Sequence, residues 1–493
     1  MITRRGVLAG GISTAASAAY GQAPLSSLVP MPRPTAPTPA GATGLETLIA
    51  ASPYQGTVAA VVADARTGEI LQGHNASTNL PPASTMKVLT TLYALDALGA
   101  GYRFATRVLA TGNLRNGRLE GDLWLYGEGD PHLDTTGLAT LVTGLRDIGL
   151  REVTGALHLV DTSLPSIPLI DVTQADYAGY NPAISGLNLN FNRVYLAWEQ
   201  GANGLQVGLD ARADDLRPAV LGIGLSVVDR AAPVLDYRAE TATAREGWSV
   251  ARSALTGDGG RWLPVRNTAA YVGEVFASLA RSSGIVLSRV QRATAVPSEA
   301  VVLSEISSAP LDAMLRSMLR YSTNLTAEVV GLRATQTLTG AANPSLRQSA
   351  DHMAARLEGR YVSGRAELYD HSGLQDSSQM TPVQMVQALV AAGPRGRLRN
   401  LLRAHRVNDE MQAQIGTAEI VTKTGTLNFV STLTGYIEGP NRPLAFAIFN
   451  ADLPRRAALG PDERDRPPGG RTWIGRARTL QNDMLVSWLR GFG

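Results

Sequence analysis

β-Branched residues gather at Thr57, Val58, Val61 and Val62 and predict a strand over 56–63. Arg66-Thr67-Gly68 predicts a turn, and 69–73 the returning strand of a hairpin. After Pro81-Pro82 the period changes. Val88, Leu89, Leu92, Leu95 and Leu98 recur at spacings of three and four, so a helix with one buried face opens at Ser84. Gly99 and Gly101 stop it. Strand-like patterning returns from Phe104 to Tyr126, with turns at Gly112-Asn113 and Asn116-Gly117. A helix over 138–148 and a strand over 157–160 follow. Short strands divided by Gly, Asp and Pro turns fill about 185–265. Helical spacing dominates 268–282, 310–335, 344–357 and 382–392. The runs 419–438 and 444–452 read as two antiparallel strands, and 474–489 as a closing helix.

This order predicts an α+β domain split in sequence, 45–100 and 266–493, around a β-rich insertion at 101–265. A chain of 493 residues exceeds one ordinary core. With 44% hydrophobic and 18% charged residues, most of it is expected to fold as soluble globular protein. A net charge of +3 is too small to imply a nucleic-acid partner. The absence of cysteine excludes disulfides, thiol catalysis and thiolate metal sites. The six histidines are scattered, with no His-x-x-x-His pair, so no metal site is expected.

The first residues look like an address. Arg4-Arg5, a mildly apolar stretch from Gly6 to Ala19 and the small residues Ala16-Ser17-Ala18 have the layout of an export signal over 1–23. The two arginines after Thr3, with Leu8 beyond, resemble a twin-arginine signal, with Val7 and Ala9 departing from its pattern. The Pro-rich segment 24–44 reads as an extended linker.

Lysine usage changes the picture. The chain has 45 Lys plus Arg, yet only Lys87 and Lys423 are lysine. Arginine keeps its proton in proteins whereas lysine can lose it, so the two lysines are expected where guanidinium fails. Ser84 and Lys87 lie three apart at the start of a helix, on one face. Alone, that spacing is equally a helix cap and a solvent lysine. Lys423-Thr424-Gly425 sits in a strand-like run, where a cation and hydroxyls suit a carboxylate ligand and Gly425 lets backbone approach it. Ser322 and Asn324, in Tyr321-Ser-Thr-Asn324, stand between helical patterns and can face one cleft; alone they would read as helix caps.

Together, in this order, Ser-x-x-Lys, Ser-x-Asn and Lys-Thr-Gly resemble the signature of penicillin-binding proteins and class A β-lactamases. The span from Ser84 to Ser322 is more than twice that from Ser322 to Lys423. Such an insertion resembles the low-molecular-mass class C penicillin-binding proteins, the carboxypeptidase/endopeptidases of the penicillin-binding protein four type. Gly127–Pro131, Leu187–Asn192 and Asp370–Leu374 resemble stretches of that family. Two positions depart from it: His371 replaces a glycine, and Asp376 stands where many relatives carry an arginine for a substrate side-chain carboxylate.

The resemblance implies a serine DD-peptidase/β-lactamase-like domain, an antiparallel sheet flanked by helices, acting on peptidoglycan stem peptides without a cofactor. It implies β-lactams as inhibitors, a periplasmic location, and leaves room for peripheral membrane association. Ser84 would be the nucleophile, Lys87 its base, with its pKa lowered by desolvation and by Lys423, and Ser322 the proton relay. Asn324, Lys423, Thr424, Gly425 and Thr426 would bind substrate, and Asp171 would face a side-chain amine. Two alternatives are a β-lactamase-like hydrolase and a non-catalytic wall-binding module on the same fold. Glu358, between the second and third motifs, lacks the context of a deacylating glutamate. Asp370, His371 and Ser372 are consecutive and cannot converge as a triad, so a structured turn is expected there.

Overall fold

The structure, a computed structural model, describes residues 44–202, 204–240, 245–460, 463–464 and 467–493. The expected export signal and all of the expected linker but Gly44 lie outside the described residues.

A six-stranded antiparallel sheet is the frame. Its order is Arg403–Ala404, Glu419–Leu427, Val430–Glu438, Pro443–Ala451, Thr57–Asp64 and Ile70–His74. The alternation of side chains along each strand feeds two cores. Val58, Ala60 and Val62, with Leu444, Phe446 and Ile448, pack against the helices Leu45–Ala51 and Gly470–Phe492. Ala59, Val61 and Ala63, with Ala445, Ala447 and Phe449, face the other core. There the helices Lys87–Leu98, Leu311–Tyr321, Asn324–Thr339, Leu346–Leu357 and Pro382–Ala392 assemble. This is the α+β arrangement expected.

Three boundaries differ from the sequence reading. The run 419–438 is two strands, reversed at Asn428-Phe429 with Phe429 at φ +55°. Phenylalanine is not a residue that announces such a turn, and β-branched neighbours hide it. The run 310–335 is two helices, broken where Ser322 adopts φ +61°. The insertion also reaches further than 265. Strands Val286–Ala293 and Val301–Ser307 pair with Glu152–Val160 and Ala105–Ala110 in its mixed sheet. Helix Thr268–Ser282 buries Val272, Val275, Phe276 and Leu279 in the same core. The insertion therefore ends near Ser307. Two further three-stranded sheets complete it, one of them formed by Gly259–Pro264, Arg193–Gly201 and Gly204–Asp210. Among the described residues no helix is long and apolar enough to cross a membrane.

Candidate active site

Ser84 lies in the 3-10 turn Ala83–Met86 that leads into helix Lys87–Leu98. The turn is pinned from two directions. Thr85 Oγ1 and Thr432 Oγ1 both donate to the Pro82 carbonyl, at 2.5 and 2.8 Å. Strand Glu419–Leu427 passes close beside it. A Cβ on Gly425 would stand 2.8 Å from the Ser84 amide nitrogen and 2.2 Å from Thr432 Oγ1. The glycine is thus required by the serine's own turn, a close approach beside the one expected toward a ligand.

Lys87 is wholly buried, its relative exposure 0%. Its Nζ is 2.9 Å from Ser84 Oγ, 2.7 Å from Asn324 Oδ1 and 2.7 Å from the Ser372 carbonyl. Asn324 Oδ1 and the carbonyl only accept, so the one partner that can hand Nζ a proton is Ser84. Burial pushes the Lys87 pKa down to about 8, against the charges of Asp370 and Glu328, which pull it back up. Of the two causes expected, desolvation and the charge of Lys423, it is burial that lowers it. Lys423 is itself buried and held well below the usual lysine value, first by burial and then by Lys87 and Arg403. Its Nζ donates to Ser322 Oγ at 2.9 Å and to the Thr424 carbonyl at 2.5 Å. The left-handed turn at Ser322 aims that hydroxyl inward from between two helices, and Asn324 begins the second. The five residues expected at the centre are therefore linked as two serine–lysine pairs, with Asn324 on the first.

A cavity of about 340 Å³ opens over them, lined by Ser84, Ser322, Asn324 and Thr426, with Gln174 and Tyr180 from the insertion. On its outer side strand Glu419–Leu427 is paired from Ile420 to Thr422, so among the described residues its edge from Lys423 onward has no strand partner and can take an extended ligand. Arg403 donates to Thr424 Oγ1 at 3.1 Å and adds a cation on that edge.

Asp171 does not reach the cavity. Its carboxylate accepts from Thr173 and from Gln174 Nε2, at 2.7 Å for the latter, and it is Gln174 that lines the wall. Asp376 pairs with Arg456 at 2.6 Å, and that arginine lines the cavity from another segment. Glu358 is exposed at the end of helix Leu346–Leu357 and lines no part of it.

The sequence reading missed what holds Lys87 from behind. Glu328 is fully buried and accepts from the amides of His371 and Ser372, both at 2.9 Å. Asp370 accepts from the amides of Gly373, Leu374 and Gln375 and from Ser372 Oγ. The two carboxylates fix the turn whose Ser372 carbonyl receives Lys87. Burial raises both their pKa values. A lone acid inside the apolar run Leu325-Thr-Ala-Glu-Val-Val330 was the available signal.

His371 turns away from its neighbours. Its Nε2 meets Ser349 Oγ at 2.7 Å, its ring stacks on Tyr93, and burial pushes its pKa down to about 3. The ring fills a slot above Gly331, where a Cβ would fall 2.2 Å from it. Replacing a helical glycine by alanine normally gains up to about 1 kcal/mol. Here overpacking against a ring held on two sides costs about 1–3 kcal/mol and wins. Gly331→Ala is expected to lower the unfolding midpoint in a denaturant titration, and to lower it less when added to a chain already carrying His371→Gly. A midpoint unchanged by Gly331→Ala would show that the slot is not tight.

Two serine–lysine pairs at one cavity, on an antiparallel sheet flanked by helices, are an arrangement suited to acyl transfer. The family model of the D-Ala-D-Ala carboxypeptidase 3 (S13) family matches residues 42–465, and the chain belongs to this family of serine-type carboxypeptidases. The chain is 28% identical over 424 residues to the D-alanyl-D-alanine carboxypeptidase of Actinomadura sp. (strain R39), 79% of this chain and 77% of that one. Over a shorter stretch of 96 residues it is 38% identical to D-alanyl-D-alanine carboxypeptidase DacB of Haemophilus influenzae, 20% of each chain. The crystal structure of penicillin binding protein 4 from Haemophilus influenzae, also solved with a β-lactam, shares the fold. Its TM-score is 0.72 at 21% identity, covering 90% of this chain and 99% of that one.

Proposed function

We propose that Ser84 is the acylating nucleophile of this carboxypeptidase, attacking the peptide carbonyl between two D-alanines at the end of a peptidoglycan stem peptide. One observation carries the reading. Lys87 Nζ lies 2.9 Å from Ser84 Oγ, with every other partner an acceptor. When neutral, it spends its two N–H groups on those acceptors and points its lone pair at the serine hydroxyl.

Attack forms the Ser84 Oγ–carbon bond as the proton passes to Lys87. The amides of Ser84 and Thr426 would hold the developing oxyanion. The Lys423-bound hydroxyl of Ser322 would give its proton to the departing D-alanine nitrogen and be reprotonated at the expense of the Lys87 ammonium, which becomes neutral again. Lys423, Thr424 and Thr426 would bind the terminal carboxylate, and Asn324 would position both Lys87 and the substrate backbone. Water then releases the acyl-enzyme. Arg456 lines the wall but is already paired with Asp376, so a substrate side-chain carboxylate would meet it only by competing with that ion pair.

A β-lactam presents an amide and a carboxylate in a similar relation, with its amide strained by the ring, so it would acylate Ser84 and inhibit. Cross-linked stem peptides share the D-amino-acid amide and are proposed as second substrates. Such substrates lie outside the cytoplasm, which agrees with 1–23 acting as an export signal to the periplasm. The test is mass spectrometry of the purified chain after benzylpenicillin. One adduct per chain on the peptide carrying Ser84 is expected. An unlabelled chain, or an adduct elsewhere, would remove Ser84 from this role.

A further inference from the structure

A second cavity, of about 380 Å³, adjoins the first between the insertion and the loop Tyr321–Leu325. Tyr180, Ser322 and Asn324 line both, and Asn324 Nδ2 donates to the Tyr180 carbonyl at 2.8 Å. The partition between the cavities is thus made of the residues nearest the chemistry.

Arg193 stands in the wall of the second cavity. Its guanidinium carbon lies 5.2 Å from the ring centre of Phe191 and 5.3 Å from that of Trp262. Its Nε is buried without a hydrogen-bond partner, and among the described residues no carboxylate pairs with it. Nearby arginines behave differently. Arg266 donates to three carbonyls, of Pro168, Asn181 and Asp176. Arg212, stacked on Tyr195, is paired with Asp210 at 2.6 Å. Arginine does not shed its charge when buried, so an unpaired one beside a cavity leaves a demand for an anion.

The backbone that presents it is strained for the purpose. Asn190, Phe191 and Asn192 have φ values of +51°, +58° and +53°. Asparagine tolerates this region; phenylalanine does not. A buried amide network holds the turn: Asn192 Nδ2 donates to the Ala183 carbonyl and to Asn188 Oδ1, and Asn190 bonds Thr135. The result sets the Phe191 ring beside the guanidinium, where it also packs against the helical core. With two rings beside it and the cavity in front, the guanidinium offers its fork to a planar carboxylate entering from the cavity.

We propose that Arg193, Phe191 and Trp262 form a carboxylate subsite next to Ser322, which takes a carboxylate of the leaving strand of a cross-linked peptide. It rests on the peptidase reading above, in which Ser322 faces the leaving amine. A leaving D-alanine ends within the first cavity, whereas a leaving stem peptide continues past Ser322 and has carboxylates to place. The subsite distinguishes cross-link cleavage from carboxypeptidation.

The test uses the full chain carrying Ser84→Ala, so that peptides bind without turnover, and isothermal titration calorimetry. The probes are a single stem peptide ending in D-Ala-D-Ala, a cross-linked stem-peptide dimer, and that dimer with its carboxylates beyond the cross-link amidated. Arg193→Gln is expected to weaken the dimer about tenfold and the single peptide less than about twofold, and amidation to weaken the dimer about as much with Arg193 present but not with Arg193→Gln. Equal affinity for the dimer and its amidated form in the Arg193 chain would overturn the subsite, whether or not Arg193→Gln folds. So would an equal loss for both peptides in Arg193→Gln. Penicillin acylation of chains with Ser84 intact is the separate control. Its failure in the parent would sink the peptidase reading, while normal acylation with no dimer effect would sink the subsite alone.

Discussion

Ser84→Ala is expected to abolish labelling by a fluorescent penicillin, a loss on the order of 10⁶ in rate, comparable with removal of a nucleophile in other serine hydrolases. The fold should be indifferent to the change. The turn around residue 84 is held by Thr85 and Thr432 on the Pro82 carbonyl, not by the serine side chain. Lys87 would keep Asn324 and Ser372, two of its three partners. Small losses of hydrogen bonding at a half-open site cost about 1 kcal/mol, too little to unfold a domain with two cores. A thermal midpoint near that of the parent, with no label, is therefore the expected pair of observations. Retained label in Ser84→Ala would mean that another serine is acylated.

How far the sequence could be read depended on whether a residue's identity or its position carries the role. Ser84, Lys87, Ser322, Asn324 and Lys423 were legible because their chemistry is in their side chains, and because arginine has displaced lysine everywhere else. The Ser372 carbonyl was not, since every residue has one. Gly425 was legible as special, but its nearest neighbour, the Ser84 turn, is revealed only by the approach of its strand. Asp171 was assigned outward from resemblance, whereas the side chains of its own turn occupy it.

The fold shows the same division. The two-sided burial of Thr57–Asp64 is written in its run of Val and Ala. The strands Val286–Ala293 and Val301–Ser307 carry exposed valines at their starts, 62% for Val286 and 65% for Val301, so no buried face announces them. The apolar stripe of Thr268–Ser282 would look the same against either core, and this placed the boundary at 265 too early.

Lys87→Arg is the second large effect, and the more discriminating one. This chain uses arginine wherever a cation suffices, so charge alone does not explain residue 87. A guanidinium keeps its proton at any working pH and has no lone pair to offer Ser84. It would also need more room at a site with 0% exposure. Penicillin acylation should fall by about 10³- to 10⁴-fold, the range for loss of a positioned general base with some misplacement of the serine. The pH profile supplies the sign. The Lys87 pKa is about 8, so roughly a tenth of the amine is neutral at pH 7. Only that fraction accepts a proton, so the parent's acylation rate should climb as pH rises and level off above about 8. The residual rate of Lys87→Arg should lack that inflection. Lys87→Met separates the remaining possibility, in which the lysine acts through its charge. It removes charge and base together, and leaves Asn324 Oδ1 and the Ser372 carbonyl without their donor. If charge were the working feature, Lys87→Arg would retain substantial activity and Lys87→Met would not. If the lone pair is what Ser84 needs, both should fail to a similar degree, and the parent's rise through about pH 8 should be lost in each.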